Sequence, residues 1–293
     1  MADATARDVG EFGLIDRVVE RLTKSPQVLL GPGDDAAVVA APDGRVVATT
    51  DLLVEGVHFR RDWSSAYDVG RKAAAASLAD VAAMGGRATA LLVGLAAPDD
   101  LPVLWATGLA DGLRDEAAVV GASVVGGDVV RSDTIVVAVT ALGDLAGRPP
   151  VTRAGARPGD AVVLAGELGR SAAGLRELMA GRTDGPLVDA HRRPTPPYDM
   201  GPVLADAGAT SMCDVSDGML ADAGQLARAS GVCFDLDPAD ELVLTGGEDH
   251  ALLASLPAGV ALPPGCRVIG RVLAGEGVTV AGVRRTGGWD HYR

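Results

Sequence analysis

Aromatic side chains are scarce in this 293-residue chain: three Phe, three Trp and three Tyr make up 3% of it. A core organised around large ring anchors is therefore excluded, and the 48% of apolar residues must pack mainly as Ala, Val and Leu. Cysteine is equally sparse. Cys213, Cys233 and Cys266 are odd in number and have no paired spacing, which supports neither a disulfide scaffold nor a thiolate zinc site. Positive charge is also short, with 26 Lys and Arg against 39 Asp and Glu for a formal net charge of −13. A nucleic-acid surface or an anionic membrane face, both of which need clustered cations, does not fit that balance. No run reaches ~18 uninterrupted apolar residues, and residues 1–20 carry acids where a signal peptide would carry its apolar centre. The expectation is a cytoplasmic protein with no membrane and no nucleic acid among its partners.

Familiar nucleotide signatures are missing as well. There is no Gly-x-x-x-x-Gly-Lys-Ser/Thr loop and no His-Arg-Asp with Asp-Phe-Gly pair, and Gly166-Glu167-Leu168-Gly169 lacks the dinucleotide spacing. What the chain has instead is six short acidic motifs set in small or glycine-rich sequence: Gly33-Asp34-Asp35, Thr49-Thr50-Asp51, Ser77-Leu78-Ala79-Asp80, Gly126-Gly127-Asp128, Asp214-Val215-Ser216-Asp217 and Gly246-Gly247-Glu248-Asp249. Carboxylates repel one another, so a fold that gathers several needs cations between them. Hard oxygen donors of this kind suit Mg²⁺, and Mg²⁺ suggests a phosphate substrate.

Patterning organises the chain into two halves. Residues 11–24 have a helical period closed by Pro26, and strand-like segments follow at 28–30, 36–40, 46–50 and 53–59. An Ala-rich helix spans 67–84 with Gly85-Gly86 as its stop, then a strand at 88–95 and a helix whose apolar face runs from Leu101 to Leu113. Strands at 123–125 and 134–142 flank Gly126-Gly127-Asp128, read as a turn. Three prolines and three glycines in 147–159 mark the boundary between domains 1–146 and 147–293. In the second half a strand at 161–165, a helix at 171–179, a proline-rich loop at 182–197, a helix at 200–207, a strand ending in Asp214 and a helix at 218–230 are expected, then short strands at 233–236 and 267–272.

Taken singly, most of the acidic motifs also fit turns and caps. Asp80 is different, because its helical neighbours Ser77, Ala76, Ala83 and Met84 give it no strong partner, which must come from elsewhere in the fold. Asp214 and Ser216 point the same way at a strand-to-helix junction, where a helix N-terminus favours anions. A Gly pair such as Gly126-Gly127 lets backbone N–H groups approach a phosphate. Arg153 is the cation placed to serve phosphates, and His58 follows the strand-end acid Asp51.

In order, Gly-x-Gly-Asp-Asp-Ala, Thr-Thr-Asp-x-Leu-Val-x-Gly-x-His-Phe, Ser-Leu-Ala-Asp-Val-Ala-Ala-Met-Gly, Arg-x-Gly-Ala-x-Pro-Gly-Asp, Asp-x-Ser-Asp-Gly and Gly-Gly-Glu-Asp run from residue 31 to residue 249. This series resembles the thiamine-monophosphate kinases, a family of the aminoimidazole-ribonucleotide synthetase-like ATP-binding superfamily. Val129-Val130 depart from it, standing where hydroxyl residues are common. The resemblance implies an α/β (α+β) fold of two domains. Residues 1–146 would bind ATP and Mg²⁺ and pair with a second copy in a β-barrel-like homodimer interface, and 147–293 would complete the cleft for nucleotide and substrate.

The implied reaction is transfer of the ATP γ-phosphoryl group to thiamine monophosphate, giving thiamine diphosphate. By motif match, several Mg²⁺ ions would be held by Asp35, Thr49, Thr50, Asp51, Asp80, Asp128, Asp214 and Asp217, with Asp51, Asp128 and Asp214 central to catalysis. Gly127, Asp128, Arg153 and Ser216 would bind ATP, and His58, Glu248 and Trp289 would bind thiamine monophosphate. Two other superfamily activities are disfavoured. A selenophosphate synthetase needs a reactive Cys or selenocysteine near the first glycine loop, and a hydrogenase-maturation member a Cys-bearing tail, whereas the first cysteine is Cys213 and the sequence closes His291-Tyr292-Arg293. An acidic metal-binding protein without catalysis accounts for the carboxylates but not for Arg153 or the Ser216 junction.

Overall fold

The structure is a computed structural model that describes residues 4–30 and 37–290. The chain divides into two compact units, one of Met1–Val81 with Ala88–Asp144 and the other of Ala82–Arg87 with Leu145–Arg293.

In the first unit, α1 (Ala6–Val19) starts under a reciprocal cap in which Thr5 and Asp8 bond each other's backbone N–H, and Gly10 at φ 71° interrupts it. The helix thus begins and ends earlier than the apolar period suggested. A short antiparallel pair, β1 (Val28–Leu30) and β2 (Val38–Val39), precedes β3 (Val47–Val54). The two strands expected over 46–59 are one, because β3 runs through Asp51 and the chain then turns at 55–59. α2 (Ala66–Ala83), β4 (Arg87–Ala97), α3 (Val103–Val119), β5 (Ser123–Arg131) and β6 (Val136–Asp144) complete the unit. The sheet order is β3-β6-β4-β5, with β3 antiparallel to β6 and β4 parallel to β5.

The second unit is built on a seven-stranded sheet. Its elements are β7 (Ala161–Ala165), α4 (Arg170–Met179), α5 (Pro186–Arg192), α6 (Met200–Asp206), β8 (Ser211–Val215) and α7 (Met219–Ser230). Then come β9 (Cys233–Leu236), α8 (Glu241–Thr245), β10 (Ala251–Leu256), β11 (Cys266–Leu273), β12 (Gly277–Val280) and β13 (Val283–Arg284). The strands lie in the order β13-β12-β9-β11-β7-β10-β8. Val162, Leu164, Val215, Leu226, Phe234 and Leu253 belong to its core, which is built mainly of aliphatic side chains, as the composition requires. α5 was not expected. Pro186 at its first turn reads as a loop signal in sequence, yet it is compatible with a helix start, where its missing N–H costs nothing.

Candidate functional site

Each unit carries its own constellation. Alternation along β3 turns Thr49 and Asp51 to one face and Thr50 to the other. On the first face, Thr49 Oγ1 donates to Asp80 Oδ2 at 2.5 Å and Ser77 Oγ donates to Asp51 Oδ2 at 2.7 Å. Ser77 and Asp80 are one turn apart on α2, so helix and strand meet as two parallel hydroxyl–carboxylate pairs. Asp80 has the distant partner its helical neighbours could not supply. On the opposite face Thr50 Oγ1 donates to the Val139 carbonyl at 3.2 Å and accepts from Thr140 Oγ1 at 3.0 Å.

Gly126-Gly127-Asp128 is not a turn but part of β5. Its pairing with β4 runs from Ala90↔Ser123 to Ala97↔Arg131, with an irregularity between Leu91 and Leu92. A Cβ at Gly127 would strike the Val93 carbonyl, so close strand approach alone demands glycine there. Asp128 is exposed and accepts from the Val129 N–H at 2.9 Å. β6 and β4 lie between its strand and β3, so Asp128 does not join the Asp51–Ser77 and Thr49–Asp80 pairs through the sheet. His58 follows β3 and accepts the Val54 N–H on Nδ1 at 3.0 Å, which places its proton on Nε2. Asp35 lies outside the described residues.

In the second unit Asp214 and His250 meet between β8 and the start of β10, Oδ2 to Nδ1 at 2.9 Å, both buried. The loop after Asp214 is threaded between two glycine segments. Ser216 accepts the Glu248 N–H and Asp217 accepts the Trp289 N–H, each at 2.8 Å. A Cβ at Gly247 would collide with the Ser216 carbonyl, and one at Gly218, held at φ 109°, would sit 2.7 Å from the Thr245 carbonyl. Glu248 and His250 both adopt positive φ, 64° and 54°, a conformation that non-glycine residues reach only when their surroundings impose it.

Asp222, on α7, accepts the Asp217 N–H at 3.0 Å. Burial pushes its carboxyl up to about 7 from the ordinary 3.8; the Asp217 N–H opposes that rise, while the Asp214 and Asp217 carboxylates add to it. The guanidinium of Arg153 also lowers it, which sets that exposed arginine within electrostatic reach of the cluster. Asp249 caps α4, with Oδ2 accepting the Gly169 N–H at 2.6 Å and Oδ1 the Ser171 N–H at 2.8 Å. Burial raises its carboxyl against the pull of those donors. Trp289 is 58% exposed beside this loop.

Asp222 belongs to the second constellation without having been singled out in the sequence, and Ser77 and Asp249 stood inside quoted motifs with no role assigned to them. Among the described residues no three His, Cys, Asp or Glu side chains gather into a cation cage. Paired carboxylate and hydroxyl oxygens are nevertheless the donors Mg²⁺ takes, since it binds through one or two carboxylates and fills its shell with water and phosphate oxygens.

The AIR synthase related protein N-terminal domain matches residues 33–145, and the corresponding C-terminal domain matches residues 157–282. A thiamine-monophosphate kinase of Mycobacterium tuberculosis is 48% identical over 98% of this chain and 93% of its own length. The chain belongs to the thiamine-monophosphate kinase family. The Corynebacterium glutamicum member is 42% identical over 92% of this chain and 87% of its own. Among solved structures, AaThiL complexed with AMPPCP and TMP is 34% identical, covers 97% of this chain and 98% of that one, and superposes with a TM-score of 0.80. The Stenotrophomonas maltophilia family member also gives 0.80, at 31% identity over 93% and 96%. E. coli HypE, a hydrogenase maturation protein, shares the fold at 19% identity over 95% and 96%, with a TM-score of 0.75.

Proposed function

We propose that this chain transfers the γ-phosphoryl group of ATP to thiamine monophosphate, giving thiamine diphosphate and ADP, the last step of thiamine diphosphate synthesis. The reading is carried by 48% identity to a thiamine-monophosphate kinase over 98% of the chain. The AaThiL complex with AMPPCP and TMP supports the same pair of substrates.

The acceptor is a phosphate monoester whose second pKa is about 6, so its oxygen is largely ionised at neutral pH and no general base is required. The barrier lies in bringing two polyanions into line. Mg²⁺, when bound, would offset that charge. Several Mg²⁺ ions would be held, by Asp35, Thr49, Thr50, Asp51, Asp80 and Asp128 in the first unit and by Asp214 and Asp217 in the second, with Asp51, Asp128 and Asp214 the catalytic carboxylates. The Thr49–Asp80 and Ser77–Asp51 bonds preorganise two of these carboxylates before any ligand arrives.

Arg153, Gly127, Asp128 and Ser216 bind ATP. Glu248 accepts from the aminopyrimidine of thiamine monophosphate, the exposed Trp289 ring faces its cationic thiazolium, and His58 is a further substrate-binding residue. Leu52, Leu92 and Val130 remain exposed on the four-stranded sheet, which supports a homodimer formed through that unit. Three free cysteines and the absence, among the described residues, of a helix long and apolar enough to cross a membrane support the cytoplasmic assignment. Purified protein given Mg²⁺, ATP and thiamine monophosphate should form thiamine diphosphate, read by fluorescence after oxidation to thiochrome. Folded protein that forms none sinks the proposal.

A further inference from the structure

Behind Glu248 stands a buried imidazole that phosphoryl transfer leaves unused. His191, on α5, is 6% exposed, and its Nδ1 lies 3.0 Å from Ser171 Oγ and 3.6 Å from Glu248 Oε2. Its placement is rigid. α5 crosses α4 so closely that a Cβ at Gly174 would run into the Leu187 carbonyl and sit 2.9 Å from the His191 Cβ. Ser171 is in turn fixed, because its N–H is bound by the Asp249 carboxylate.

The same Asp249 clamp holds the backbone after Glu248, and the bond from the Glu248 N–H to Ser216 holds the backbone before it. Neither backbone bond acts on the three torsions of the Glu248 side chain. With the proton on Nδ1, its N–H donates to Ser171 Oγ and sets a partial positive charge 3.6 Å from Glu248 Oε2, an electrostatic contact longer than a hydrogen bond.

We infer that His191 is a positioning residue for Glu248, orienting its carboxylate toward the amino group of the thiamine pyrimidine and so setting discrimination at that end of the substrate. The inference rests on the substrate-binding role of Glu248 proposed above. A carboxylate held to accept from an amino group penalises an analogue that presents an oxygen there.

The test compares thiamine monophosphate with oxythiamine monophosphate, which bears oxygen in place of the pyrimidine amino group. His191→Ala should raise KM for thiamine monophosphate about tenfold and reduce the kcat/KM preference over the oxy analogue by about as much. The KM for ATP and kcat should stay within about twofold, and His191→Asn, whose amide N–H falls near the place of Nδ1, should recover most of the loss. Unchanged KM and preference overturn the inference, as do a parallel rise in the KM for ATP or a failure of His191→Asn to recover. If the alanine variant does not fold, His191→Gln, which fills the volume but reaches past that place, is read in its stead with the same outcomes. Glu248→Gln is measured alongside. If it leaves KM and preference unchanged, the role of Glu248 falls and the inference with it; if it alters them while His191→Ala does not, the inference alone falls.

Discussion

Asp214 and His250 form a buried pair, Oδ2 to Nδ1 at 2.9 Å, at the point where β8 ends and β10 begins. His250 reaches Asp214 from a backbone in the left-handed region, φ 54°, two residues after Glu248 at φ 64°. Two strained residues so close in sequence are tolerated because bonds to Val215 and Ser216 hold the segment against the Asp-x-Ser-Asp-Gly loop. The imidazole thus fixes one carboxylate while the backbone strain that delivers it also sets Glu248.

Removing the imidazole should therefore cost stability. His250→Ala leaves the Asp214 carboxylate buried without this donor, a loss of about 2–3 kcal/mol for a hydrogen bond to a charged group. His250→Asn, with an amide N–H near the Nδ1 position, should regain at least half. Urea unfolding midpoints in EDTA check both, and equal midpoints for all three proteins would show that the pair contributes nothing.

Asp222 predicts a pH dependence. Its native carboxyl titrates at about 7 rather than 3.8, so the folded state holds the proton more tightly than the unfolded chain. Below about 4 both states are protonated and no penalty exists; as pH rises from about 4 to about 7 only the unfolded state ionises, and stability falls. Above that window the full cost, on the order of 2–4 kcal/mol, is in place. Asp222→Asn keeps an oxygen for the Asp217 N–H and removes the charge. It should match the parent protein at pH 4 and exceed it at pH 8 in metal-free urea titrations. A variant that is no more stable at pH 8 refutes the shift.

The local readings that succeeded depended on one signal each. The Val-containing run at 161–165, the short segment at 233–236 and the segment ending in Asp214 are strands in the structure, as expected. Where signals competed, the outcome turned on partners invisible in one sequence. Gly126-Gly127 carries a turn signature, but β4 alongside supplies a ladder, and glycine there answers to the Val93 carbonyl. Residues 182–197 were dominated by prolines, and the packing of α5 against α4 hid with them, taking His191 out of sight. Asp80 was readable as needing a partner but not as needing Thr49, because the pairing spans 31 residues and depends on how α2 lies on β3. Order and type of the acidic motifs identified the family, while the hydroxyl, imidazole and backbone groups that hold each carboxylate came only from the fold.

The exposed face of the four-stranded sheet gives a prediction about assembly. Leu52 is 53% exposed and Val130 51%, on strands at opposite edges of β3-β6-β4-β5. If a second copy covers that face, Leu52→Glu with Val130→Lys introduces charges that must be desolvated on association. Sedimentation velocity should give a dimer for the parent protein and a monomer for the double variant. A monomeric parent at micromolar concentration, or a double variant that stays dimeric, excludes this face as the interface.

Asp51 offers the cleanest separation of metal binding from folding. Its Oδ2 accepts the Ser77 hydroxyl, and the amide oxygen of Asn can accept the same bond, so Asp51→Asn should leave the urea midpoint within about 1 kcal/mol of the parent. What it loses is one unit of negative charge where Mg²⁺ is proposed to bind. The Mg²⁺ concentration for half-maximal thiamine diphosphate formation should then rise about tenfold or more, with part of the rate recovered at high Mg²⁺. Thr49→Val, which removes the hydroxyl held by Asp80, should shift the same titration less, because it deletes a neutral oxygen rather than a charge. An Asp51→Asn protein with an unaltered Mg²⁺ titration would remove Asp51 from the metal set, and one with a collapsed urea midpoint would assign it to the scaffold of β3 and α2 instead.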